Sequence, residues 1–153
     1  MKIGVPKEIK SQENRIGLTP ESVKILTSNG NEVLVENNGG FEAGFYNEQY
    51  KSAGAKILDK AEDIFDDAEI IVKVKEPQPS EVKMIKENQI VFTYLHLAAA
   101  KELTKGLVDS KSVCIAYETV TDNNGRLPLL APMSAVAGRM SVQAGAHCLE
   151  KYQ

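Results

Sequence analysis

The sequence predicts an α/β fold, a doubly wound and mainly parallel sheet within a single domain. Three observations carry this expectation. Strand-like and helix-like segments alternate along the chain, the order that builds βαβ units. Several strand-like segments are unbroken apolar runs, such as Ile70-Ile71-Val72 and Ile90-Val91-Phe92, which suit strands covered on both faces. The length of 153 residues, with 42% hydrophobic and 25% charged side chains, matches one ordinary globular domain able to bury a substantial core.

The first strand is expected over Lys2–Pro6, followed by a polar loop, Lys7–Gly17. Thr19 can then cap a helix with Pro20 at its first position, and Gly30 supplies the stop. The second strand is Glu32–Glu36. The glycine-rich Asn37–Gly44 (NNGGFEAG) after it reads as a turn. Further strands are expected at Ala55–Leu58, Glu69–Lys75, Ile90–Leu95 and Val113–Thr119, with Asn47, Asp59 and Ser80 as N-cap candidates for the helices between them. Asn123-Asn124-Gly125 reads as a tight turn. Past the proline-containing stretch Leu127–Pro132, Ser134 is expected to cap a long helix running to about Tyr152.

Composition excludes several classes of function. The net charge of −3 comes from acidic and basic residues mixed along the chain, without the basic patch that nucleic-acid binding needs. No apolar run approaches the ~20 residues of a membrane span, and the N-terminus MKIGVPKEIK has no signal-peptide core. Cys114 and Cys148 lack metal-ligand spacing and are expected as buried reduced thiols, with cytoplasm as the default compartment. No metal site is expected. Neither the dinucleotide fingerprint G-x-G-x-x-G nor a P-loop occurs.

Ligands of open α/β sheets sit outside the carboxyl ends of the strands. Arg15 follows the first strand, Lys75 is expected to end the fourth, His96 the fifth and Glu118 the sixth. Arginine presents a planar fork that holds a carboxylate through two parallel hydrogen bonds, but a loop arginine is also ordinary surface. Lys75 ends a run expected to be buried, so it is either paired or snorkelling; Lys73, on the same face by alternation, is its rival. Histidine titrates near neutral pH and exchanges protons with a substrate oxygen, so His96 is the candidate acid–base group, set against a satisfied core histidine. Glu118 reads as a structural partner. Tyr94 and Tyr117 are pocket wall or core, Met133 is packing, and His147 is without a role.

A more specific signal lies in the segments MKIGVPKEIKSQENRIGLTP, VKVKEP, FTYLHLAAAKELT, IAYETV and LPLLAPMSAVAGRM. Together they resemble the N-terminal half of the alanine dehydrogenase family. The opening K-E-x-x-x-x-E-x-R is shared with transhydrogenase nucleotide-binding subunits and saccharopine-type lysine dehydrogenases; FTYLHLAAAKELT favours alanine dehydrogenase. The resemblance implies a Rossmann-like sheet and an enzyme interconverting L-alanine with pyruvate, ammonia and NADH. It implies that Arg15 and Lys75 bind the substrate carboxylate and that His96 is catalytic. Ser134 is implied to touch the NAD cofactor, with Met133 packing beside the nicotinamide. It further implies that residues 1–133 form the substrate-binding domain, that residues 134–153 begin a helix leading to an NAD-binding domain outside this chain, and that the full-length protein is a cytoplasmic homo-oligomer. The 153 residues alone are then expected to be inactive. Two alternatives stay open: a fragment of a transhydrogenase subunit, and a non-enzymatic domain that binds a small carboxylate or serves in assembly.

Overall fold

Apolar runs rich in isoleucine and valine form six strands in the computed structural model, which describes residues 1–151. They are β1 (Lys2–Val5), β2 (Glu32–Glu36), β3 (Lys56–Leu58), β4 (Ile70–Val72), β5 (Ile90–Thr93) and β6 (Val113–Ala116). All pair in parallel in the order β3-β2-β1-β4-β5-β6. Ile3 faces Val33 on one side and Ile70 on the other. The Rossmann-like, doubly wound α/β expectation therefore holds. The chain divides into two compact units, one ending at Ala116 and one beginning at Tyr117.

In the first unit, strand alternation sends neighbouring side chains to two cores. Val33 and Val35 join Ile3, Val5 and Val72 on one face, covered by Val23 of α1 (Pro20–Ser28) and Tyr50 of α2 (Asn47–Ser52). Leu34 points the other way, into a core with Ile71, Val91 and Leu95. Ile64 and Phe65 of α3 (Ala61–Asp67) and Leu107 of α5 (Lys101–Ser110) cover it. Each large apolar side chain so buried contributes about 1.5–3 kcal/mol. Helix α3 lies so close to β1 that a Cβ on Gly4 would stand 2.6 Å from Ile64 Cγ2 and 2.8 Å from Ala68 Cβ. Gly4→Val should therefore destabilise the protein by about 1–3 kcal/mol through overpacking. The check is a urea unfolding midpoint; an unshifted midpoint would contradict this packing.

Several boundaries differ from expectation. Strand β1 stops at Val5 because Pro6 has no N–H to offer a ladder. Strand β4 is the largest correction: it ends at Val72 rather than Lys75. Beyond it the N–H groups of Val74 and Lys75 both donate to the Glu8 carboxylate. Strands β5 and β6 end at Thr93 and Ala116, and the residues after β6 turn into a 3-10 helix, Tyr117–Thr119. Thr19 caps α1 as expected, its hydroxyl accepting from Ser22 N, and Gly30 follows in the left-handed conformation at φ +80°. The other cap candidates are displaced. Tyr46, Lys60 and Gln78 occupy the N-cap positions of α2, α3 and α4 (Pro79–Val82). Asn47 instead braces the preceding turn, accepting from Asn38 N and donating to Asn37 Oδ1, while Asp59 accepts from Asn37 Nδ2. Pro79, pre-set for the first helical position, starts α4 before Ser80.

The second unit holds the Tyr117–Thr119 turn, the tight turn at Gly125 (φ +74°) and α6 (Ala131–Cys148). Helix α6 begins four residues before the expected start. Leu130 is its N-cap, Pro132 sits in its first turn, and Ser134 donates its N–H to Leu130 O, so Ser134 is a helical residue and not a cap. Cys114 is half-buried and Cys148 exposed, both free thiols, which corrects the expectation that both are buried. No helix of the described residues is long and apolar enough to cross a membrane.

Candidate functional site

The sheet changes winding direction at β1, whose neighbours are β2 on one side and β4 on the other. At such a switch point the loops leaving adjacent strands part and open a crevice beyond the carboxyl edge. The segments leaving β1, β4 and β5 carry Arg15, Lys75 and His96, and because every strand is parallel all three emerge at this one edge.

Arg15 is gripped by Glu13. Its Nε donates to Glu13 Oε1 at 2.8 Å, its Nη2 to Oε2 at 2.6 Å, and its backbone N to Oε1 at 2.9 Å. The Glu13 side chain is 7% exposed and that of Arg15 45%, so a buried carboxylate anchors a solvent-facing guanidinium. The hydrogen bond from Arg15 holds the Glu13 carboxyl down to about 2 against the opposing effect of burial, with the positive charge of Lys75 adding to it. Glu13 in turn raises the Arg15 pKa, and the fields of Glu8 and Tyr94 also reach the guanidinium. The fork is thus charged and fixed in orientation, the state required for bidentate carboxylate binding.

Lys75 lies in the turn after β4, half-buried. Its rival Lys73 is fully buried, with Nζ 3.1 Å from Glu8 Oε2 and 2.8 Å from Glu81 Oε1. A lysine in that position is a structural cation, since unpairing a buried charge costs several kcal/mol. Burial raises the Glu81 pKa, opposed by Lys73. Glu8 also binds the main chain: Oε1 accepts from Val74 N at 2.6 Å and Lys75 N at 3.3 Å. On the opposite side of the same residue, buried Thr93 donates its hydroxyl to Lys75 O at 2.8 Å.

His96 stands three residues past β5 in the left-handed conformation, φ 51°, at the N-cap of a short 3-10 helix, Leu97–Ala99. A non-glycine residue there stores roughly 1–3 kcal/mol of strain, a feature that concentrates at functional sites. The turn exposes the imidazole and stacks it on Tyr94, centroids 5.9 Å apart and planes 11° from parallel. Tyr94 N donates to Val74 O, tying the β5 segment to the one that carries Lys75. Glu76, paired with Lys10, also lies within the field of His96. Burial raises its pKa, yet the hydrogen bond from Lys10, one from its own backbone N–H and the fields of Lys10 and His96 bring the net shift downward.

Ser134 and Met133 lie in the first turns of α6, in the second unit, which also holds Glu118 in its 3-10 helix Tyr117–Thr119. The first unit does not fit a dinucleotide at the usual place, the turn from β1 into α1. Gly17 in that loop is packed on β4, where a Cβ would stand 2.5 Å from Val72 O, and Thr19 already satisfies Ser22 N at the start of α1. Among the described residues no group of three or more His, Cys, Asp or Glu side chains is placed to hold a metal.

Glu8 and Glu13 are the two glutamates of the opening K-E-x-x-x-x-E-x-R, to which no role was attached, and Thr93 was not singled out. A signal for Glu13 existed, an acid two residues before the arginine in a polar loop. A buried lysine at position 73 also demands carboxylate partners, but only the fold says which ones.

Residues 4–137 match the family model described as alanine dehydrogenase/PNT, N-terminal domain. The chain is 56% identical over its full length to an alanine dehydrogenase of Halomonas elongata, of which it covers 41%. A solved L-alanine dehydrogenase superposes with a TM-score of 0.92 at 52% identity, over 100% of this chain and 42% of that one. The transhydrogenase of Sinorhizobium meliloti is more distant, with a TM-score of 0.75 and 25% identity over 81% of this chain and 35% of that one.

Proposed function

This chain belongs to the family of the alanine dehydrogenase/PNT N-terminal domain, and from that premise we propose that it is the substrate-binding part of an NAD-dependent alanine dehydrogenase. The chain spans about 41% of the curated relatives it matches most strongly. The observation that carries the reading is that the segments carrying Arg15, Lys75 and His96, two cations and a proton-exchanging group, all leave the sheet at its carboxyl edge around the switch point. The overall reaction is L-alanine, NAD and water giving pyruvate, ammonia and NADH. Arg15 and Lys75 hold the carboxylate common to alanine and pyruvate, Arg15 through its planar fork and Lys75 as a point charge. His96 exchanges a proton with the substrate oxygen or nitrogen as the carbon changes oxidation state. NAD, when bound, would supply the hydride acceptor; Ser134 and Met133 of α6 would touch it, with most of its contacts lying outside these residues.

In this reading residues 1–133 form the substrate domain and residues 134–153 begin the connection to the cofactor domain. The full-length enzyme is cytoplasmic and homo-oligomeric. Similarity favours alanine dehydrogenase over a transhydrogenase subunit, 52–56% identity against 25%. In the full-length protein, Arg15→Ala and Lys75→Ala should each weaken pyruvate binding about tenfold to a hundredfold, since a charge-assisted hydrogen bond contributes about 1.5–3 kcal/mol. Pyruvate titration and steady-state kinetics measure this; unchanged affinity in both variants would remove the carboxylate site.

A further inference from the structure

We propose that Glu8 and Thr93 are positioning residues for the carboxylate site, acting through the main chain of Lys75. The inference rests on the function proposed above and adds residues to which no role there is assigned. Lys75 follows the end of β4, and main-chain bonds to the β5 segment reach only as far as Val74 O, which accepts from Tyr94 N. Two buried side chains hold the N–H and C=O of Lys75 itself. Glu8, from the loop after β1, accepts the N–H groups of Val74 and Lys75, and Thr93, from β5, donates to Lys75 O. The N–H and C=O of Lys75 are therefore held from two directions, by the loop after β1 and by β5. Glu8 is itself held by the ammonium of Lys73, which Glu81 of α4 shares. The chain of contacts runs from α4 through Lys73 and Glu8 to the backbone that carries the Lys75 side chain.

The chemistry explains why side chains replace the ladder at this point. A strand continued through Lys75 would keep the β4 backbone in the plane of the sheet. Ending the strand at Val72 frees the chain to turn, but leaves N–H groups that need an acceptor in a buried place. A carboxylate with two oxygens serves the main chain with one and the buried lysine with the other. Displacing the Lys75 Cα would move its ammonium relative to the Arg15 fork, and small misplacements of binding groups are costly to function.

The test uses the full-length enzyme. Thr93→Val, nearly isosteric, removes only the hydrogen bond to Lys75 O. It should raise KM for pyruvate about fivefold to tenfold, on the scale of one lost hydrogen bond, with kcat within about twofold. Thr93→Ser should restore the wild-type KM. Glu8→Ala should raise KM at least as much, and amide exchange at Val74 and Lys75 should quicken more than tenfold relative to Ile71. A merely structural role predicts a lower melting temperature with unchanged KM in the folded variants, and that result would overturn the proposal. If Glu8→Ala fails to fold, the Thr93 pair decides. A wild-type enzyme that does not turn over pyruvate would overturn the functional reading itself. An active wild type whose Thr93→Val variant keeps its KM would overturn this inference alone.

Discussion

His96→Ala in the full-length enzyme should lower kcat for alanine oxidation by about 10²–10⁴-fold, with KM for pyruvate changed only a few-fold. That range is the usual contribution of a positioned acid–base group. The geometry supports a group committed to proton transfer and not to packing. His96 is exposed at the sheet edge, held in a left-handed backbone conformation and stacked on Tyr94, whose main chain is tied to the Lys75 segment. A core histidine would have no reason to sit in a strained turn with its ring toward solvent. The variant loses the proton exchange but keeps Arg15 and Lys75, so binding survives while turnover falls. Added imidazole should recover part of the rate. His147→Ala provides the control, because His147, on α6 with Nδ1 3.7 Å from Glu150 Oε2, is assigned no role in the proposed reaction; its kcat should match wild type. Undiminished turnover in the His96 variant would remove this residue from the mechanism.

A polypeptide of these 153 residues alone should form no NADH from alanine and should bind NADH no tighter than millimolar. Pyrophosphate is normally held by glycine-rich backbone at a helix N-terminus. Here the glycine nearest that place, Gly17, is wedged against Val72 O, and Thr19 covers the first turn of α1. Ser134 and Met133 would meet only one end of the dinucleotide, and a small part of a ligand's contacts cannot offset the entropy lost on binding. Without the nicotinamide held against the substrate carbon, the gain from positioning is also lost. Calorimetric titration with NADH and an absorbance assay with alanine and NAD make the measurement. Micromolar binding or clear turnover would relocate the cofactor site into these residues.

The position of the site was legible in part because α/β sheets bind ligands at one edge, so residues near the ends of apolar runs are candidates whatever the exact register. Arg15, Lys75 and His96 all stand at that edge. Glu8 and Glu13 stand in the opening K-E-x-x-x-x-E-x-R, but what they support was not legible. Glu13 and Arg15 are near in sequence, but their double hydrogen bond depends on the loop closing on itself. Glu8 and Lys73 are 65 residues apart, and nothing local marks them as partners. The cap candidates failed for a related reason. Asn47 and Asp59 have good capping side chains, and tertiary contacts with Asn37 and Asn38 claim them first.

By itself the sequence determined the alternation of strand and helix, the parallel sheet, the two-sided burial and the family. These follow from short-range hydrophobic patterning and from motifs whose residues are adjacent in the chain. Tertiary structure alone decided where β4 stops, which of Lys73 and Lys75 is buried in an ion-pair network, and how Arg15 is aimed. The apolar run from Ile70 onward gives no reason to end at Val72. The end comes from a carboxylate on another strand's loop, whose buried charge needs the Lys73 ammonium and whose second oxygen takes the backbone N–H groups. Such a choice depends on the burial of charge, and burial exists only once the sheet has closed around it.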